Sequence, residues 1–308
     1  SALLLAAACG NAERDQATLT QPGQLKIVVA FYPFQFIAER VAGRHADVAS
    51  LTQPGAEPHD LELTPKQVAG LQEADLIIYE KGFQPAVDEA VQQTANQTVL
   101  ETTTAVPLQE LSAEHTHEEE GDEQGHQEEG HDDHRGLDPH VWLDPNNVAT
   151  ISTALAEQLS TIDQVHAADY AKNAEALKTE LTSLDGDFKA GLANCKRTEF
   201  ITSHDAFGYL AKRYILTQIG ISGLSPDSEP SPARIAEVQR EAKEHGITTI
   251  FYETLVSPAV AKAIASDLGL KTDVLDPVEG ITAESRGQNY LSVMRSNLAA
   301  LKAANACG

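Results

Sequence analysis

The sequence predicts an α/β protein built of two halves, each a mostly parallel sheet flanked by helices. Three observations carry this. Six short runs read as buried strands: LKIVVAF (25–31), DVASL (47–51), DLIIYE (75–80), TEFITS (198–203), TTIFYE (248–253) and TDVLD (272–276). Helical segments fall between them. Four share a start signal, a capping residue followed by Pro: Thr64-Pro65, Asp144-Pro145, Ser231-Pro232 and Ser257-Pro258. Pro suits the first helical position because its missing N–H would be unpaired there, and the Ser, Thr or Asp oxygen accepts from another free N–H. Finally, the stretch 145–190 contains no strand-like run and is rich in Ala, Leu, Glu and Gln. It predicts helix at about 145–160 and again at about 164–190, either separate or merged into one long element.

That stretch divides the chain. The expected units are a 1–23 leader remnant and tether, a 24–145 N-terminal half, a 146–190 linking segment and a 191–308 C-terminal half. Alternating strands and helices imply parallel sheets with covered faces, whose ligands bind beyond the carboxyl ends of the strands. Two such sheets facing each other would form a cleft. Each element supports this in turn. After Thr64, Val68 and Leu71 share one helix face, and after Ser231, Ile235 and Val238 do the same.

Composition narrows the function. The chain has 308 residues, 42% hydrophobic and 22% charged, as a folded two-lobed protein should. Its formal net charge is -24, from 22 basic against 46 acidic residues. This excludes nucleic acid and an anionic membrane surface as natural partners and suits a cation. No run approaches the roughly 18 to 20 apolar residues of a membrane span.

Residues 1–10, SALLLAAACG, resemble the end of a signal peptide running into a lipoprotein box, with Cys9 as the lipidated residue. The usual Leu three places before the Cys is Ala6 here. The other reading is a free Cys beside a short apolar run. Residues 10–23 are polar and unpatterned, as a tether would be. With Cys9 lipidated, Cys195 and Cys307 remain as a pair in a compartment where disulfides persist. Residues 113–134 hold five histidines (His115, His117, His126, His131, His134) and ten acidic residues, with Ala113 their only apolar residue. Nothing there can build a core, so a mobile loop over 113–136 is expected, whose imidazoles and carboxylates are suited to accessory metal binding.

Outside that loop lie His45, His59, His140, His166, His204 and His245. His59 follows the strand at 47–51, His204 follows TEFITS, Asp276 ends TDVLD, and His140 sits in the turn of DPHVWLDP. Three imidazoles and a carboxylate match the N/O donor set of a tetrahedral zinc site. Asp138 and Asp60 are candidate acceptors for the second ring nitrogens. On spacing alone, a histidine in a turn is more often a surface residue than a ligand.

The segments GAEPHDLELTPKQ, ADLIIYEKGF, LDPHVWLDP, TSHDAFGYLAKRY, EPSPARIAEV, TIFYETLVSP and VLDPVEG, in this order between about residues 25 and 306, resemble the zinc-specific solute-binding proteins of ABC importers. The resemblance implies two α/β lobes joined by a single long helix, with the metal in the interlobe cleft. It implies Zn2+ held by His59, His140, His204 and Asp276, with Glu57 as a competing carboxylate and Glu253 as a supporting one. It also implies an extracytoplasmic monomer, either a cell membrane lipoprotein or periplasmic, that delivers zinc to a membrane permease and catalyses nothing. A Cys195–Cys307 disulfide fits some family members. Manganese-type relatives usually carry Glu where this chain has His204, which favours zinc over manganese or iron. A zinc hydrolase, with Glu57 or Glu253 as general base, is the alternative from another class. Imidazole protonation should weaken binding below about pH 6.

Overall fold

The computed structural model describes residues 23–95, 98–110 and 136–308. Cys9 and the five histidines of the acidic loop lie outside the described residues. The N-terminal half runs β1 (Leu25–Val29), α1 (Tyr32–Ala42), β2 (Ala46–Ser50), α2 (Pro65–Glu73), β3 (Leu76–Tyr79), α3 (Pro85–Gln93) and β4 (Val99–Glu101). Its four strands are parallel in the order β2-β1-β3-β4. A two-stranded antiparallel ribbon follows, β5 (Gln109–Glu110) with β6 (Leu137–Asp138). The C-terminal half holds β7 (Glu199–Thr202), α6 (Gly208–Tyr214), β8 (Thr217–Gly220), α7 (Pro232–Glu244), β9 (Thr249–Tyr252), α8 (Ala259–Leu268), β10 (Lys271–Val274) and α9 (Tyr290–Asn305). Its sheet is again parallel, in the order β10-β9-β7-β8.

The strand-free stretch is two helices, α4 (Pro145–Ile162) and α5 (Ala167–Leu192), joined by a 3-10 turn at Gln164–His166. At 1.5 Å per residue the 26 residues of α5 span roughly 39 Å. This helix packs against α1 of one half and α9 of the other. Three of the four expected Pro starts form as drawn: Thr64, Asp144 and Ser231 each accept a backbone N–H from the first turn. The fourth helix begins one residue later, at Ala259, with Pro258 as its cap. Ser257 still accepts from the Ala259 N–H, at 3.4 Å. Strands β4, β5, β6 and β8 are not foreseen from the sequence. All have two to four residues, too few to show a period.

One continuous apolar core runs from the N-terminal sheet through α4 and α5 to α9 and the inner face of the second sheet. The period of two splits β7 and β9 between cores. Phe200 and Phe251 face the shared core, whereas Ile201 and Ile250 join a smaller cluster under α7 and α8. The halves are therefore not separated by a dry gap. Tyr290 Oη donates to Trp142 O at 2.6 Å, Trp142 Nε1 donates to Pro277 O at 2.7 Å, and Tyr209 Oη donates to Asp138 O at 3.1 Å. Arg213 on α6 pairs with both Asp144, the cap of α4, and Asp185 of α5. A disulfide joins Cys195, just after α5, to Cys307, just after α9.

Candidate metal centre

The three histidines taken from the sequence meet between the two sheets. His59 lies on the loop after β2, His140 on the turn after β6, and His204 on the loop after β7. Their ring centroids form a near-equilateral triangle, 5.6 Å for His59–His140, 5.7 Å for His59–His204 and 5.4 Å for His140–His204. The carboxylate that joins them is Glu279. One ligand atom from each of these four residues lies within 4.8 Å of the others. Glu279 Oε1 is 3.6 Å from His140 Nε2 and 3.7 Å from His204 Nε2.

Each imidazole is aimed by a carboxylate behind it. His140 Nδ1 lies 2.9 Å from Asp138 Oδ1, and His204 Nδ1 lies 2.7 Å from Glu253 Oε1. His59 Nδ1 pairs with Glu57 Oε1. A carboxylate oxygen can only accept, so each Nδ1 carries a proton and each ring turns its Nε2 towards the centre of the triangle. Those three Nε2 atoms, and both oxygens of Glu279, are buried and make no hydrogen bond. Five orphaned polar atoms on four neighbouring side chains would be costly in an ordinary core, at about 1–3 kcal/mol each. A divalent cation fits them: three soft-to-borderline nitrogens and a carboxylate make a tetrahedral zinc set.

Burial and charge oppose each other here. Burial alone would raise the Glu279 carboxyl, but the His59, His204 and His140 rings hold it down at about 2. For His204, burial works against the charged form. The Glu253 and Glu279 carboxylates outweigh it and lift the ring well above its ordinary value. His59 is also raised, since Glu279 and Glu57 overcome its burial. His140 is lowered, because complete burial outweighs the pull of Asp138.

Asp276, expected from the sequence to complete the set, does not join the converging atoms. Its carboxylate is held by its own loop and the loop after β9: Oδ1 accepts from Val278 N at 2.8 Å, and Oδ2 accepts from Ser285 Oγ at 3.1 Å and Thr254 Oγ1 at 3.3 Å. Glu279 lies in the same VLDPVEG segment, three residues on. The sequence offers two carboxylates on one turn and cannot show which faces the histidines. Val278 decides it, with φ at +62°, a left-handed conformation that reverses the chain between them. Glu57 does not join the converging atoms either, its carboxylate being turned onto the His59 ring and backbone. Asp60 is exposed, and its backbone N donates to Glu57 at 3.3 Å instead of orienting a ring.

An aromatic wall backs the site. Phe83 stands 4.5 Å from the His59 ring, and Trp142 stands 5.3 Å from His140 and 5.2 Å from Phe83. Exposure is uneven: the His59 side chain is 10% accessible, against 0% for His140 and 1% for His204. His59 is therefore the ring nearest solvent.

Known proteins share this architecture. The chain is 39% identical over 301 residues to the zinc-binding lipoprotein AdcA of Streptococcus pneumoniae, covering 97% of this chain and 58% of that protein. It thus spans little more than half the length of that relative. It is 35% identical to the high-affinity zinc uptake system protein ZnuA of Bacillus subtilis, covering 97% of this chain and 93% of that one. Among solved structures, the Zn(II)-bound ZnuA-like domain of Streptococcus pneumoniae AdcA superposes with a TM-score of 0.74 at 35% identity, covering 92% of this chain and 99% of that one. Residues 27–304 match the model of the ZnuA family, described as zinc-uptake complex component A, periplasmic, and the chain belongs to that family.

Proposed function

We propose that this protein captures Zn2+ outside the cell membrane and delivers it to the permease of an ABC importer. His59 Nε2, His140 Nε2, His204 Nε2 and Glu279 hold the ion. The observation that carries the reading is the convergence of four ligand atoms within 4.8 Å, all of them buried without a hydrogen bond. The zinc-binding names of its relatives point the same way.

Binding and not catalysis follows from the donor count. Four protein ligands close a tetrahedral sphere and leave no position for the water that a hydrolase activates. The two carboxylates considered as general bases, Glu57 and Glu253, each hold a histidine Nδ1. Three imidazoles favour zinc over manganese or iron in a carrier of this fold. Zinc enters from the His59 side and displaces protons from His59 and His204. The ties between the halves keep the response local to the ligand loops. The protein acts as a monomer with its cleft towards the permease. No described helix is long and apolar enough to cross a membrane. The lipoprotein-like segment that ends at Cys9 would supply the attachment. The acidic histidine loop would serve as an accessory zinc collector.

The test is a competitive zinc titration of the metal-stripped chain against a chelator, with and without residues 113–134. One tight site that survives deletion of the loop is expected. Loss of tight binding on deletion would move the principal site into the loop and overturn the assignment.

A further inference from the structure

We propose that Asp276 is a positioning residue that sets the direction of the Glu279 carboxylate, acting as a hydrogen-bond acceptor and not as a metal ligand. The inference rests on the zinc-binding reading above and deepens it.

Three consecutive residues before Glu279 are each clamped from a different part of the fold. The Asp276 backbone is held at both ends by one side chain on α9: its N donates to Asn297 Oδ1 at 2.9 Å, and its O accepts from Asn297 Nδ2 at 2.7 Å. Pro277 O accepts from Trp142 Nε1, so the N-terminal half grips the same turn. Val278 is fully buried and left-handed, a conformation unfavourable for a β-branched residue and held only where the surroundings over-determine it. The bond that over-determines it is Val278 N to Asp276 Oδ1, at 2.8 Å. Ser285 and Thr254 fix the other oxygen, so the carboxylate cannot swing away. Asn297 and Asp276 are each 2% exposed, which leaves no solvent to substitute for a lost partner.

Glu279 has no such anchor of its own, since both its oxygens lack hydrogen bonds. Its direction is therefore inherited from the turn. Removing the Asp276 acceptor leaves Val278 N unpaired in the interior and frees the strained residue to relax, which carries Glu279 off the histidine triangle.

An acceptor and a ligand respond differently to substitution. Asp276→Asn keeps an oxygen for Val278 N, and its amide can donate to the Ser285 and Thr254 hydroxyls, but it supplies no carboxylate. Asp276→Ala supplies neither. The experiment measures zinc affinity by chelator competition, the visible d–d spectrum of the Co2+ form, and the melting temperature of the metal-free protein. The variants are Asp276→Asn, Asp276→Ala, Asn297→Ala and, as a control on the site, Glu279→Gln.

Asp276→Asn should stay close to wild type in affinity and Co2+ spectrum. Asp276→Ala should lose about 10- to 100-fold in affinity, as when a residue supporting a ligand is removed, with an altered Co2+ spectrum. Asn297→Ala, which leaves the Asp276 carboxylate in place, should change the spectrum in the same direction and serves if Asp276→Ala does not fold. Equal losses in Asp276→Asn and Asp276→Ala would mean that the carboxylate itself is needed and would overturn the proposal. So would wild-type binding in both Asp276→Ala and Asn297→Ala. If Glu279→Gln binds zinc as tightly as wild type, the four-ligand reading fails, whatever Asp276 does.

Discussion

The two halves of the molecule aim their imidazoles by different means. In the N-terminal half each ligand brings its own carboxylate, two residues upstream and across a proline: Glu57-Pro58-His59 and Asp138-Pro139-His140. In both, the acid also accepts from the histidine backbone N, at 3.0 Å from Glu57 Oε2 and 2.9 Å from Asp138 Oδ1. Backbone and ring are fixed by one local turn. In the C-terminal half the partner is remote. His204 is aimed by Glu253, 49 residues away, which is brought close by the pairing of β7 with β9 at Ile201↔Ile250. Glu279 depends on a turn clamped from α9 and from Trp142. The N-terminal ligands are thus products of local geometry, and the C-terminal ligands are products of the assembled lobe.

The sharpest way to break this contrast is at the ligand without an anchor. Glu279→Gln should cost more than about 100-fold in zinc affinity, exceeding the loss from any supporting residue, read by chelator competition. Next come the supporting acids. Glu253→Gln and Asp138→Asn, both at buried rings, should each lose about 10- to 100-fold, with Glu57→Gln at the lower end because it is partly exposed. Equal losses at all three would mean that burial does not set the size of the effect.

The pH dependence should also divide by ring. His204 and His59 have raised values, so each holds its proton to a higher pH than a free imidazole, and zinc must displace it. Affinity therefore begins to fall above the ordinary imidazole value of about 6.5, earlier than the limit near pH 6 drawn from the sequence. His140, with its value lowered, stays neutral and adds its proton only at more acid pH. Affinity measured from pH 8 to 5 should steepen in two stages, and a flat profile down to pH 6 would contradict the electrostatics. The smallest effect on zinc should come from reducing Cys195–Cys307. That disulfide closes a loop of 112 residues, for which chain entropy gives about 4–5 kcal/mol of stability. Thermal unfolding should shift clearly downward, while zinc affinity falls only modestly, through the C-terminal ligands that lean on α9.

Much of this was legible in the residues. The strand runs β1, β2, β3, β7, β9 and β10 stand out because buried parallel strands are written as short apolar runs, and three helix starts because Pro after a capping residue is a local signal. The histidines were legible through the ends of those strands and the resemblance of the surrounding segments. Asp276 against Glu279 was not. Both carboxylates sit on one turn, and the reversal at Val278 depends on contacts with Asn297 and Trp142 from distant parts of the chain. The roles of Glu57 and Asp60 were indistinct for a similar reason, since only the turn's geometry shows that Glu57 closes onto His59.

The sequence by itself determined the α/β class and the division into two halves, because these rest on periodicity and capping, which are local; it offered the three imidazoles only through the resemblance of the segments around them. Only the tertiary structure shows which carboxylate converges on the three rings and which acids lie behind them. Those choices depend on side-chain directions set by strand pairing, by a left-handed residue and by bonds between the halves, and no short window of sequence contains them.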